Sequence, residues 1–196
     1  THPAQILSSL PQAVETMLDA GDCGPAFIGL PQDVAAEAYD FPESFFETTV
    51  RTMARPRPDT NQLAQAAQLL ESALRPVIIA GGGVHYSRAE EELAAFATRH
   101  GIPVVETVAG KSSLLASHPC YAGPLGVTGA GAANAVVSQA DVVVALGTRL
   151  EDFTTGSWTL FDPKARFIGI NAARFDALKH KAVPVVADAR QSIVEL

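Results

Sequence analysis

Cysteine is nearly missing from this chain. Cys23 and Cys120 are its only two in 196 residues, and they stand far apart. That excludes a disulfide framework and a cysteine-rich zinc site, and it points to a soluble protein of a reducing compartment, with the cytoplasm as the expected location. Positive charge is also scarce, with 14 Lys and Arg against 21 Asp and Glu and a formal net charge of -7. Binding nucleic acid or an anionic membrane over a broad surface needs the opposite excess, so neither partner is expected. No apolar run approaches the ~20 residues of a membrane-spanning helix. No basic-then-apolar leader opens the chain.

What is present reads as an ordinary globular balance. Hydrophobic residues make up 47% and charged residues 18%, enough apolar content for a large core. The length suits one medium domain, or one domain plus part of another. The chain begins at Thr1 without a Met and stops at Glu195-Leu196 inside a helical pattern. The expectation is therefore a fragment of a longer protein.

Residues 76–106 carry the most information. Four apolar residues, Val77 to Ala80, run into Gly81, Gly82 and Gly83. Ser87 and Glu90 have capping-box spacing and predict the start of a helix. Leu93, Phe96 and Ala97 supply its buried stripe, and His100-Gly101 ends it. A second apolar run, Ile102 to Val105, completes a β-α-β unit. Such a unit places glycine backbone and a helix N-terminus at one edge of a parallel sheet, where phosphates and dinucleotides bind.

Around this unit the chain divides into three expected parts. Residues 1–38 read as the tail of a preceding domain. Spacing predicts helix over residues 3–20, with Pro11 opening a second helix and Gly21 ending it. Residues 25–30, Pro-Ala-Phe-Ile-Gly-Leu, predict a strand. Residues 39–58 read as a proline-bearing linker, with Phe41, Phe45 and Phe46 to pack on a surface and Arg51, Arg55 and Arg57 as its basic residues. Residues 59–196 read as one α/β domain. There, Asp59 and Gln62 predict a helix start, with Leu63, Ala67, Leu70 and Leu74 on one face. Strands are predicted near 77, 103, 142, 166 and 184, residues 111–129 are irregular, and 131–139 are helical. Continuously apolar strands suit a sheet covered on both faces. The expected fold is a Rossmann-like, doubly wound parallel α/β sheet of the NAD/FAD-binding type.

Several patterns bear on chemistry. Gly81-Gly82-Gly83 allows close approach to a pyrophosphate, yet Tyr86 stands where a dinucleotide fingerprint needs its third glycine. Glu106 falls where a ribose-binding acid would lie. A tight turn requiring only small residues explains the same glycines equally well. Gly110-Lys111-Ser112 looks like the end of a P-loop, but Val105 occupies the place of the loop's first glycine, so a solvated loop is expected. The histidines lack helical metal-ligand spacing and suit solvent-facing or capping roles, and no metal site is predicted. No Gly-x-Ser-x-Gly elbow occurs, and the adjacent Glu151 and Asp152 diverge in regular structure, so they read as solvated carboxylates. Residues 146–158, Leu-Gly-Thr-Arg-Leu-Glu-Asp-Phe-Thr-Thr-Gly-Ser-Trp, follow a strand directly. Arg149, the hydroxyl groups and the chain's only Trp make this loop rich for a plain connection, and a ligand or interface role is expected, with a structural cap of the sheet as the alternative.

Residues 24–34 (Gly-Pro-Ala-Phe-Ile-Gly-Leu-Pro-Gln-Asp-Val), residues 75–84 (Arg-Pro-Val-Ile-Ile-Ala-Gly-Gly-Gly-Val), Gly126-Val-Thr-Gly129, Ala133-Asn134, Ala140-Asp141 and Gly147-Thr-Arg149 come in a recognisable order. Together they resemble thiamine diphosphate-dependent enzymes of the acetolactate synthase type, from the end of the pyrimidine-binding domain through the central domain. Residues 147–158, 175–180 and 186–190 are more similar to the branch of carbon–carbon hydrolases that open a cyclic dione in inositol breakdown. Acetolactate synthases usually show Gly-Ala-Arg-Phe-Asp-Asp-Arg at the first of these and Asp-Ile-Asp where this chain has Ile170-Asn171-Ala172.

The resemblance implies thiamine diphosphate and Mg²⁺ in the intact enzyme, both held outside this chain by flanking domains. It implies a small cyclic dione as substrate, a homo-oligomeric assembly, no catalytic residue within these 196, and an inert isolated fragment. It also implies that Gly82, Gly83, Arg149, Asn171 and Asp188 line a groove that holds FAD or another nucleotide in some relatives and is purely architectural in others. Asn171 replaces an acidic position near the ribose of flavin-binding relatives, which counts against a tightly bound flavin. Other readings of the chain are an acetolactate synthase-like lyase or transferase, a nicotinamide- or flavin-binding oxidoreductase domain, and a non-enzymatic assembly module.

Overall fold

The computed structural model describes residues 2–196. Its compact units divide between Ala54 and Arg55. In the second unit, short runs, β-branched in all but the third, form six strands: β1 (Pro76–Ala80), β2 (Val104–Glu106), β3 (Tyr121–Pro124), β4 (Val142–Leu146), β5 (Arg166–Asn171) and β6 (Val183–Val186). They make one sheet in the order β3-β2-β1-β4-β5-β6, and every neighbouring pair is parallel. The doubly wound α/β fold read from the sequence is the fold observed. All five strands predicted within residues 59–196 are present. β3 is the addition, within a stretch expected to be irregular. Its Tyr-Ala-Gly-Pro sequence has no β-branched residue, and at the sheet edge it needs to pair only with β2.

The helices are α3 (Thr60–Glu71), α4 (Gly82–Ser87), α5 (Glu90–His100), α6 (Gly131–Ser138), α7 (Asp152–Thr155), α8 (Arg174–Ala177) and α9 (Ala189–Glu195), after α1 (Ile6–Leu18) and α2 (Gln32–Ala35) of the first unit. Alternation along β1 sorts the core into two layers. Ile78 and Ala80 join Leu93, Phe96 and Ala97 of α5 and Ile193 of α9. Val77 and Ile79 join Ala133 and Val137 of α6 with Phe161 and Phe167. Between β4 and β5 no long helix covers this second face. Trp158 does part of that work, stacked 3.6 Å from the His180 ring and 4.9 Å from Phe161. Burial, then the neighbouring Lys179 charge, pushes the His180 pKa down and favours its neutral ring.

Four local expectations are corrected. Pro11 lies inside α1, which runs unbroken, because the helical spacing of apolar residues is the same on both sides of it. Residues 25–30 form no strand and Phe27 is 95% exposed, since a strand requires a pairing neighbour. The capping box at Ser87 does not form. The chain is already helical from Gly82, so Ser87 Oγ donates to the Gly83 carbonyl at 2.7 Å, Arg88 turns left-handed, and α5 starts only at Glu90. Asp59 does cap α3, but that helix stops at Glu71. Leu74 therefore leaves its face and is exposed, and Ala66 is the residue α3 buries. In the first unit, Phe41, Phe45 and Phe46 pack on one another.

The glycine turn after β1 meets the end of β4 backbone to backbone. Gly81 N–H donates to the Leu146 carbonyl and Gly83 N–H to the Gly147 carbonyl, both at 2.9 Å. A Cβ on Gly83 would lie 2.5 Å from the Gly147 Cα. Gly147 itself has φ +58°. Replacing Gly83 with Ala is expected to cost about 1–3 kcal/mol by overpacking, read as a lowered urea midpoint. Gly131→Ala, where a Cβ meets nothing within 4 Å, is the control and should leave the midpoint unchanged or raised.

Candidate functional site at the carboxyl edge

Parallel strands place their C-terminal ends along one edge, and in open α/β sheets ligands bind there, where the strand order reverses. Here that point lies between β1 and β4. Gly82 and Gly83 follow β1, Arg149 follows β4, Asn171 ends β5 and Asp188 follows β6. The fold thus brings all five predicted groove residues to a single edge.

Most of their polar groups are already spent. The amides of Gly81 and Gly83, which a phosphate would use, bind the β4 carbonyls described above. Asn171 Nδ2 donates to the Thr148 carbonyl at 3.2 Å, and its Oδ1 accepts from Ala173 N at 2.9 Å. Asp188 is buried. Its Oδ1 accepts from Arg190 N and Gln191 N and so caps α9, while its Oδ2 pairs with Arg55 at 2.9 Å. Arg55 also donates to the Tyr86 carbonyl at 2.7 Å, tying the end of α4 to the start of α9. Arg149 is the loosely held member. Its side chain is 68% exposed, 3.7 Å from Asp176 and 3.9 Å from Glu151, contacts worth little in solvent.

Glu106 is not free for a ribose. It is 2% exposed; its Oε1 accepts from Leu114 N at 3.0 Å, and it takes a hydrogen bond from Tyr121. Burial, followed by the Glu106 charge and that bond, pushes the Tyr121 pKa up. Gly110-Lys111-Ser112 forms an exposed turn at Lys111 and Ser112, as a solvated loop should. Among the described residues no group of three or more His, Cys, Asp or Glu could hold a metal ion. A cavity of about 240 Å³ opens at the opposite edge of the sheet, lined by Pro76, Phe96, His100 and Ile102, away from all of these groups.

Arg55 was legible only as one basic residue of the linker, and Thr148 only as one hydroxyl of the 146–158 loop and the middle of the Gly147-Thr-Arg149 motif. Another arrangement gave no signal: His85 Nδ1 lies 2.7 Å from Glu90 Oε1 and its Nε2 lies 2.9 Å from the Lys111 carbonyl. Only the fold brings Lys111 to His85.

The family described as "Thiamine pyrophosphate enzyme, central domain" matches residues 63–196. The chain belongs to that family. Among curated relatives, this central domain and the residues before it are similar to the 3D-(3,5/4)-trihydroxycyclohexane-1,2-dione hydrolases of Bacillus velezensis, 47% identical over 197 aligned residues, and Bacillus subtilis, 46% identical. Those alignments cover 100% of this chain, and the chain spans 31% of the relatives' length. Among solved structures, benzoylformate decarboxylase from Polynucleobacter necessarius matches the whole chain and 36% of its own, with TM-score 0.76 and 22% identity. That likeness shows the fold alone.

In the Arg55–Asp188 pair only Asp188 is buried, Arg55 being 33% exposed, and the pair gives a stability prediction for this edge. Asp188→Ala should cost about 1–3 kcal/mol by removing the cap of α9 and a charge-assisted hydrogen bond, measured by chemical denaturation. Asp188→Ser keeps a cap on α9 and should recover about 1 kcal/mol of that loss.

Proposed function

We propose that this chain is the central domain of a thiamine diphosphate-dependent hydrolase that opens a cyclic 1,2-dione by breaking a carbon–carbon bond with water. The observation that carries this reading is the 47% identity across the entire chain to trihydroxycyclohexane-1,2-dione hydrolase. Residues 1–38 are then the tail of the pyrimidine-binding domain, 39–58 a linker and 59–196 the central domain. The intact protein is a cytoplasmic homo-oligomer acting on a small molecule.

The residues of this chain do not fit thiamine diphosphate or Mg²⁺. Its described residues offer no metal-ligand group, and the glycine turn spends two amides on β4. No catalytic step is therefore assigned here. The cofactor, its metal and the catalytic residues belong to other parts of the longer protein. Within this chain, Gly82, Gly83, Asn171 and Asp188 act as architecture at the carboxyl edge. Arg149 remains exposed to meet an adjoining domain or the substrate. A nucleotide in the groove is disfavoured because accommodating it would mean breaking hydrogen bonds that hold β1, β4 and β5 together.

Two measurements test this. The full-length enzyme with thiamine diphosphate and Mg²⁺ should hydrolyse trihydroxycyclohexane-1,2-dione, and the 196-residue chain alone should not. Condensation of pyruvate to acetolactate by the full-length enzyme, without ring opening, would overturn the hydrolase reading. In a thermal-shift titration, FAD and NAD should leave the melting temperature of this chain unchanged. A saturable rise would overturn the architectural role, because a ligand bound only by the folded form must stabilise it.

A further inference from the structure

His85 lies in α4 with an acceptor at each ring nitrogen. Glu90 Oε1, at the start of α5, is 2.7 Å from Nδ1, and the Lys111 carbonyl is 2.9 Å from Nε2. A carbonyl cannot donate, nor can an ionised carboxylate. A neutral imidazole has one N–H and can serve only one of them. Both contacts are satisfied together only when the ring is an imidazolium.

The Lys111 carbonyl belongs to the segment that follows β2, and that segment walls the glycine turn. A Cβ on Gly82 would sit 3.3 Å from Ala109 Cβ, and one on Gly110 would sit 2.1 Å from the Ala80 carbonyl oxygen. The wall therefore fits tightly against Gly81 and Gly82, with His85 as its side-chain fastening to α4. A neighbouring hydroxyl supplies the alternative state. Ser113 Oγ is 3.5 Å from His85 Nε2 and donates at 2.7 Å to the Gly110 carbonyl. If Nε2 loses its proton it becomes an acceptor, and Ser113 can rotate its hydroxyl toward it. Ser113 is 1% exposed, so this trio of Ser, His and Glu is closed to substrate and is no nucleophile site.

We propose that His85 is a proton-operated clasp: the imidazolium fastens residues 107–113 to the glycine turn, and the neutral ring lets go of the Lys111 carbonyl and takes the Ser113 hydroxyl instead. The groups facing the ring are Glu90 from α5, Glu106 from β2, and Lys111 and Ser113 from the segment itself. Both carboxylates favour the charged ring. The hydrogen bond to Glu90 is the strongest influence raising the His85 pKa above its ordinary 6.5; burial opposes it, and the Lys111 carbonyl and the two carboxylate charges add to the rise. A folded-state value above the unfolded one means that the clasp contributes fully below pH 6.5 and is lost as pH climbs through the raised value. The device thus tightens residues 107–113 against the glycine turn in mild acid and loosens them in base.

NMR of the 196-residue chain tests this directly. The His85 ring should titrate with a midpoint above 6.5, both ring nitrogens carrying protons below it. Amide exchange at Gly110 and Ser113, corrected for its intrinsic pH dependence, should accelerate several-fold across the same midpoint. Glu90→Gln should move the ring midpoint and the exchange transition down together. An ordinary or lowered midpoint in the wild type, exchange that ignores the His85 titration, or a Glu90→Gln midpoint equal to wild type would each overturn the proposal. The wild-type titration decides the matter even where the variant fails to fold.

Discussion

Two backbones touch at the centre of the sheet's carboxyl edge, and much of the domain's arrangement depends on that contact. Gly83 and Gly147 approach so closely that neither has room for a side chain. The contact lets the chain leave β1 and enter α4 without pushing β4 aside. It is reinforced along the edge, since Gly147 N–H also donates to the Ile170 carbonyl at 2.8 Å. β1, β4 and β5 are thereby locked at the ends where an α/β sheet would otherwise open a crevice. The hydrogen bonds that fix the strands are thus the ones a phosphate would need to displace.

Around this centre, side chains complete the closure. Asn171 bridges to Thr148, Asp188 caps α9 and holds Arg55, and Arg55 reaches Tyr86. Apart from the local cap on α9, these contacts join segments distant in sequence, and the buried Asp188 carboxylate is satisfied by them. Asn171 and Asp188 therefore have their side-chain oxygens engaged within the fold. Arg149 differs because its backbone carbonyl is held, by Lys179 Nζ at 3.3 Å, while its guanidinium stays exposed. Such an arrangement positions a charge without consuming it.

The legible parts of the fold were those set by local pattern. Val142 to Leu146 and Val77 to Ala80 read as buried parallel strands because both sheet faces are covered. Leu93, Phe96 and Ala97 repeat at helical spacing, and the structure buries them. Where a contact from elsewhere competed, local pattern misled. Ser87 has a capping residue's chemistry, but the glycines begin the helix before it. Residues 25–30 have strand character and find no strand beside them. Tyr121 to Pro124 has little strand character and is recruited by β2. The five groove residues were reached through family likeness, and the fold then gathered them at one edge.

By itself the sequence determined the fold class, five of the strands and the net negative charge, which follow from periodicity, composition and residue spacing, all local quantities. It also carried the order of motifs through which the family resemblance was seen. Tertiary structure alone decided what the glycines are for, since only the approach of the β4 end shows that the amides of Gly81 and Gly83 are taken. It likewise decided that Glu106 is buried, that Asp188 is paired, and that His85 faces two acceptors. Those properties arise where segments far apart in the chain meet, and pairwise geometry of that kind is invisible until the chain has folded.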